Sequence, residues 1–247
     1  MHDTSTLALI GATFLLAGAV KGVVGMGMPT VSLAILTATI GLTNGLALIV
    51  IPTCATNIWQ AIAGGGAVQT LRRHWLFLAC ASICVVPGTV ALTAVNLNVL
   101  SALLGVVLIV YALVSLVHVR LNVPAAHESW LGAVSGAMTG VMTGMTGSSV
   151  VPGVLFLQSL GLQRAELVKA MGMLFAVCAV VLTLSLSRIG IVNGETLAVS
   201  AAALVPALAG MQIGQMFGRT LSEALFRRIL YVALLLLGCE IIASALL

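Results

Sequence analysis

From Leu97 to Val117 the chain runs without a charged side chain, and comparable apolar runs recur from end to end. A helix needs about 20 apolar residues to cross the roughly 30 Å of bilayer hydrocarbon, which is what these runs supply. Only 6% of the 247 residues are charged, against 61% hydrophobic. A soluble domain carries about a quarter charged residues, so this chain cannot dress a water-facing surface. The alternating ten-residue segments of a membrane barrel are not visible either. The expected fold class is therefore all-α, a polytopic integral membrane protein whose first partner is the lipid bilayer.

The net charge of +4 sits mainly in short connections, where it reads as topology and not as a nucleic-acid surface. No basic region precedes the first apolar run, which carries Lys21, so that run is expected to stay as a helix rather than be cleaved as a signal peptide. The five cysteines (Cys54, Cys80, Cys84, Cys178, Cys239) all fall inside apolar runs. Their spacing fits neither a zinc site nor a redox pair, so they read as small packing residues; no metal and no cofactor is expected.

Two runs break in the same manner. The first is Ala17-Gly18-Ala19-Val20-Lys21-Gly22-Val23-Val24-Gly25-Met26-Gly27-Met28-Pro29. The second runs from Gly136 through Thr143-Gly144-Met145-Thr146-Gly147-Ser148-Ser149-Val150-Val151 to Pro152. Gly18 and Gly22 recur as Gly136 and Gly140 at an offset of 118, and Ile40-Gly41-Leu42 recurs as Leu160-Gly161-Leu162 at 120. Offsets that creep upward are what a diverged tandem duplication leaves behind. The reading is two homologous repeats, residues 1–120 and 130–247, joined by a polar connection at 121–129. Each holds about four long transmembrane helices and one short broken segment, at 29–41 and 150–161. A polar turn is expected at Gln69 to His74, between two of the long spans of the first repeat.

About thirteen helical residues reach only roughly 20 Å, so the short segments fall short of a full crossing by length alone. Charge placement bears on this. With ten crossings and the N-terminus outside, Arg72, Arg73, Arg120, Arg164, Lys169, Arg219, Arg227 and Arg228 fall inside and Arg188 outside. With eight crossings the same charges divide almost evenly. The excess of positive charge in inner connections favours ten, with halves of inverted topology.

Lys21 is the first candidate site residue, since a charge at that depth costs at least about 2.5–3.5 kcal/mol. It either snorkels to the nearer interface or faces an anion. Pro29 and Pro152 suit the first turn of a following helix, where a missing N–H costs nothing. Gly25, Gly27, Gly144 and Gly147, with Thr143, Thr146, Ser148 and Ser149, would turn backbone amides and hydroxyls into a cavity at a helix start, a setting that favours anionic oxygens. The ladder Gly132, Gly136, Gly140, Gly144 also suits close helix packing. Thr53, Thr56, Asn57 and Gln60 share one helix face, either as interhelical bonds or as a pore lining; Thr53 and Asn57 are taken as site candidates. Lys169 reads as an interfacial anchor, and Gln212 and Gln215 as either bonding or lining residues.

Enzyme readings fail on missing parts. Gly25-Met26-Gly27 lacks the strand, the third glycine and the lysine–hydroxyl pair of a nucleotide loop. Gly147-Ser148 as a nucleophile needs a base, and His2, His74, His118 and His127 sit in the terminus or in connections.

The two glycine stretches, the second followed by Leu157-Gln158-Ser159-Leu160-Gly161-Leu162, resemble the signature halves of the TauE/SafE sulfite-exporter family, also called the toluene-sulfonate uptake permeases. The resemblance covers nearly the whole chain. Met26 and Met28 stand where many members have further glycines, and Lys21 resembles a subgroup. The resemblance implies a multi-pass carrier in the bacterial inner membrane for sulfite, sulfonates or related organosulfur or carboxylate anions. It also implies seven to nine spans, fewer than ten unless the short segments are counted. The alternatives are a channel-like permease for another small solute and a non-transporting membrane subunit. A homo-oligomer is compatible with the sequence, which does not fix the oligomeric state.

Overall fold

The computed structural model describes residues 4–117, 122–218 and 223–246; His2, His118, Arg120 and Arg219 lie outside them. The elements are α1 (Thr4–Val24), α2 (Met28–Ile40), α3 (Leu42–Ile62), α4 (Ala67–Ala94), α5 (Leu97–Val117), α6 (Glu128–Thr146), α7 (Leu155–Ser159), α8 (Arg164–Arg188), α9 (Gly194–Phe217) and α10 (Glu223–Leu246). No strand occurs among the described residues. Seven of these helices are long and apolar enough to cross a membrane; α6 matches them in length but is diluted by glycine, threonine and serine.

Between helices in a bilayer there is no hydrophobic drive, so close packing of small residues holds the bundle. Gly136, Gly140 and Gly144 of α6 lie on the backbone of α4, where an added Cβ would meet the carbonyls of Phe77, Ala81 and Val85 at 2.2–2.3 Å. Gly18 and Gly22 of α1 lie in the same way on Ala207 and Met211 of α9. In both pairs the contacts advance together along the two sequences, so α1 and α9 are parallel, as are α4 and α6. The other pairs run the opposite way. In α3 and α8, Gln60 Nε2 donates to the Val168 carbonyl at 2.7 Å while Cys54 lies 3.8 Å from Thr183. In α5 and α10, Gly105 and Gly238 meet each other's backbone, and Tyr111 stacks edge-on against Tyr231.

These directions fix the path of the chain. The tight turns joining α3 to α4, α4 to α5 and α8 to α9 each reverse it. For all the pairs to hold, α1 and α3 must run the same way, and so must α6 and α8. Each short segment therefore carries the chain back. α2 manages this with 13 residues because α1 ends below the surface: Met28 Sδ lies 3.9 Å from Thr56 Oγ1, well inside the end of α3 at Ile62.

Several expectations need correction. The polar turn at Gln69 to His74 is the first part of α4, and only His74 leaves helical geometry, at φ −107° and ψ 16°. The reversal is made earlier by Gly64, Gly65 and Gly66, each with φ between 72° and 76°, where a side chain would be strained. The helical extension then sets Arg73 between Glu128 (3.1 Å) and Glu166 (3.1 Å), which offsets its polarity and ties the first turns of α6 and α8 to α4. α10 also begins earlier than the apolar run from about Ile229 suggests. The second short segment is a wide turn over Val150–Val154 followed by only five residues of α7. Gly153 there is wedged between Thr139 and Leu174, at 2.8–2.9 Å from an added Cβ, and Val151 is extended. Pro152 accordingly sits in the wide turn and not in the first turn of α7, whereas Pro29 does occupy the first turn of α2.

Large apolar side chains such as Ile83 and Val205 face outward, as a lipid-facing belt requires. Trp59, Trp75 and Trp130 are all exposed at one end of the bundle, at the close of α3 and the starts of α4 and α6. That end also carries Arg72, Arg73, Arg164 and Lys169, the pattern of a membrane–water interface.

Candidate functional site

The two helix breaks meet across the bundle. Pro29 and Thr30, at the start of α2, face Gly147, Ser148 and Ser149, which follow α6. Thr143 of α6, Ile49, Val50 and Thr53 of α3, and Phe175, Ala179 and Leu182 of α8 close the space between them, a cavity of about 20 Å³. That is room for about one water-sized group. Gly147 makes the turn with φ 77°, and an added Cβ would lie 2.3 Å from Leu46 and 3.2 Å from Leu33, so apolar side chains pack directly over the second break.

The lining is polar on the side of the breaks. Ser149 Oγ lies 2.7 Å from Thr143 Oγ1, and that hydroxyl donates to the Thr139 carbonyl at 2.7 Å. Ser149 is thus the donor of the pair. Two hydroxyls stand apart from this network. Thr53 Oγ1 and Ser148 Oγ, at residues 5% and 3% exposed, have no hydrogen-bond partner in the protein. A buried hydroxyl left without a partner costs about 1–3 kcal/mol, so two in one cavity call for a partner from outside the chain, a water or a ligand. The N-terminus of α2 adds to them, since Gly27 gives it no side-chain cap.

Lys21 lies on the other side of a thin layer. Its ammonium donates to Asn57 Oδ1 and, at 3.2 Å, to Thr56 Oγ1, and the residue is 4% exposed. Asn57 in turn donates to the Thr53 carbonyl at 2.9 Å. Asn57, Thr56 and the fully buried Met28 thus separate the cavity from a second, wider space of about 630 Å³. This vestibule is lined by Lys21 and Gly25, by Thr56, Trp59 and Gln60 of α3, by Arg164, Val168 and Lys169 of α8, and by Met211 and Gln215 of α9. It opens at the end of the bundle that carries the tryptophans.

A match to the family described as sulfite exporter TauE/SafE spans residues 10–241. The chain belongs to the TauE/SafE family. Among curated proteins and among solved structures, nothing matches it. As a TauE/SafE protein with seven long apolar helices, it is a multi-pass membrane transporter.

Of the residues singled out by sequence, Pro29, Thr53, Thr143, Gly147, Ser148 and Ser149 line the inner cavity, while Lys21 and Gly25 line the vestibule. Asn57 lies between the two, and Gly27 sits at the first break. Gly144 packs on α4, Thr146 donates to the Met142 carbonyl at 2.7 Å, and Pro152 lies in the wide turn; none of the three lines either space. Thr30, Phe175 and Ala179 were missed, the last two because an apolar residue on a buried helix carries no sequence mark. Arg164 was also missed, and Lys169, read as an anchor, belongs to the vestibule. His74 is not in a connection but is buried in α4, with Nδ1 3.7 Å from Glu128. Glu128 opens α6 and Ser148 follows its end, roughly 28 Å away, so His74 gives Ser148 no base.

Proposed function

We propose that the chain is a secondary transporter of a small anion such as sulfite, a sulfonate or a related organosulfur or carboxylate compound, in the bacterial cytoplasmic membrane. The observation that carries the reading is the inner cavity between the two breaks, where Thr53 Oγ1 and Ser148 Oγ are buried without partners. Two hydroxyl donors and an uncapped helix start can hold oxyanion oxygens, and Lys21 behind the Asn57 layer supplies positive charge. With room for about one water-sized group, the cavity must widen to admit an oxyanion, which favours a carrier that opens to each side in turn over an open channel. The driving force is the membrane potential or a proton gradient.

The directions of the helices support ten traverses and two halves, 1–120 and 130–247, of inverted topology, with Arg72, near the start of α4, at the cytoplasmic end. A cysteine at residue 72 is then expected to react with an impermeant maleimide only after the membrane is opened from the cytoplasmic side. Labelling from the periplasm in intact cells contradicts the arrangement.

The site itself is tested by Ser148→Ala. The hydroxyl bonds to nothing in the protein, so the thermal midpoint should hold. A hydrogen bond to a charged ligand contributes about 1.5–3 kcal/mol, so sulfite affinity should fall about 10-fold or more. Unchanged affinity in both Ser148→Ala and Thr53→Val removes the inner cavity from the site.

A further inference from the structure

Proline inside a helix leaves a gap in the hydrogen-bond ladder, because it has no N–H to offer the carbonyl four residues before it. α3 carries such a proline, Pro52, between Val50 and Thr53, which both line the inner cavity. The carbonyl left without its helical donor is that of Leu48. It is served from another helix: Ser200 Oγ of α9 donates to the Leu48 carbonyl at 2.8 Å. The same oxygen accepts from the Ile51 N–H at 3.1 Å. Ser200 is fully buried, so bulk water does not compete for either bond. One hydroxyl from α9 thus stands in the opened turn of α3, and a side chain inserted into the ladder is one of the few things that bend a helix.

The turn that Ser200 enters is the one that presents α3 to the site. A threonine in a helix can return its hydroxyl to the carbonyl four residues back. Thr56 does so at Pro52, Thr143 at Thr139 and Thr146 at Met142, each at 2.7 Å. Thr53 Oγ1 makes no such bond and is left for the cavity. On the other side of the same turn, Asn57 donates to the Thr53 carbonyl, and Asn57 and Thr56 both receive the Lys21 ammonium. The two outside anchors of this turn therefore come from one unit. Lys21 belongs to α1 and Ser200 to α9, and those helices meet backbone to backbone: an added Cβ on Gly210 would lie 2.0 Å from the Leu15 carbonyl, and one on Gly214 2.1 Å from that of Ala19.

We infer that Ser200 is a positioning residue: it holds the Pro52 turn of α3 in the shape that aims Thr53 into the inner cavity, and so ties the wall of that cavity to the α1–α9 pair. For the anion that Thr53 meets, this rests on the transport reading; the bond across the proline gap does not.

Ser200→Ala leaves the Leu48 carbonyl and the Ile51 amide without this partner, at a depth where water does not replace it. The thermal midpoint should fall by about 4–8 °C, and sulfite affinity by about 10-fold or more as Thr53 turns from the anion. The decisive comparison is the same substitution in a Pro52→Ala chain, where residue 52 regains an N–H for the Leu48 carbonyl. There the loss in midpoint should shrink to about 2 °C or less. Equal losses in the two backgrounds overturn the inference, and they do so whether or not the chain carries sulfite, because no ligand enters that comparison. A Ser200→Ala chain that loses midpoint but binds sulfite as the parent does also overturns it, since the serine then only joins helices. If Ser200→Ala alone does not fold, Pro52→Ala with Ser200→Ala must fold and match Pro52→Ala in midpoint, or the inference fails. Sulfite binding by the parent tests the transport reading separately; its absence sinks that reading and leaves the Pro52 comparison to judge Ser200.

Discussion

Lys21→Met should abolish anion flux while the protein still inserts and folds. Methionine keeps the length and the apolar character of the stem, so the packing of α1 is retained. What disappears is the ammonium that donates to Asn57 and Thr56. Truncating one partner of a buried, hydrogen-bonded charge costs about 2–5 kcal/mol in binding, so flux at subsaturating sulfite should fall about 30-fold or more. Removing the charge also removes an insertion penalty of about 2.5–3.5 kcal/mol, so expression should not suffer. Asn57 Oδ1 loses its donor, which offsets part of that gain. Flux is measured on purified protein in proteoliposomes, with size-exclusion profiles to establish that the fold is kept. Unaltered flux removes Lys21 from the transport path and leaves it as a helix-bonding residue.

The second large effect is on stability. Gly144→Val puts a branched side chain where an added Cβ already meets Val85 O at 2.3 Å, Thr89 N at 2.5 Å and Gly88 C at 2.6 Å. All three are backbone atoms of α4, which no rotamer change can move, so α4 and α6 must separate. Overpacking typically costs about 1–3 kcal/mol, and a clash with backbone belongs at the upper end. For a chain of this size that amounts to a fall of roughly 10 °C in the thermal midpoint. Gly11→Ala is the control, since an added Cβ there meets nothing within 4 Å. In a helix interior alanine is favoured over glycine by about 0.5–1 kcal/mol, so that variant should be neutral or slightly more stable. Equal midpoints for Gly144→Val and the parent would mean that α4 and α6 do not pack through this ladder.

Much of this is legible in the sequence. Long uncharged runs admit little but membrane helices, and the paired glycine–proline breaks marked where helices stop. The ladder from Gly132 to Gly144 was readable as close packing, although the sequence could not say against which helix; α4 supplies the face, with its own Gly88 opposite Val141 and Gly144. The inner cavity was half legible. Hydroxyls and glycines around a break are visible as a local pattern, whereas Phe175 and Ala179 line it only because α8 crosses α3 at that level. Arg164 and Lys169 were unreadable as a group with Lys21, since they join it only when the start of α8 meets the end of α1 across the vestibule. The extension of α4 through Arg73 and His74 escaped for a related reason. Its polar residues suit a turn when read alone, and become helical once Glu128 and Glu166 are placed beside them.

On the proposed reading, this chain alone moves a small oxyanion across a bilayer by way of the cavity between its two breaks. The most direct measurement is uptake of radiolabelled sulfite into proteoliposomes containing only the purified chain. The expected result is saturable uptake that responds to an imposed membrane potential, is competed by methanesulfonate and is lost in Lys21→Met. Uptake no greater than in protein-free liposomes, across a panel of sulfite, sulfonates and carboxylates, would contradict it.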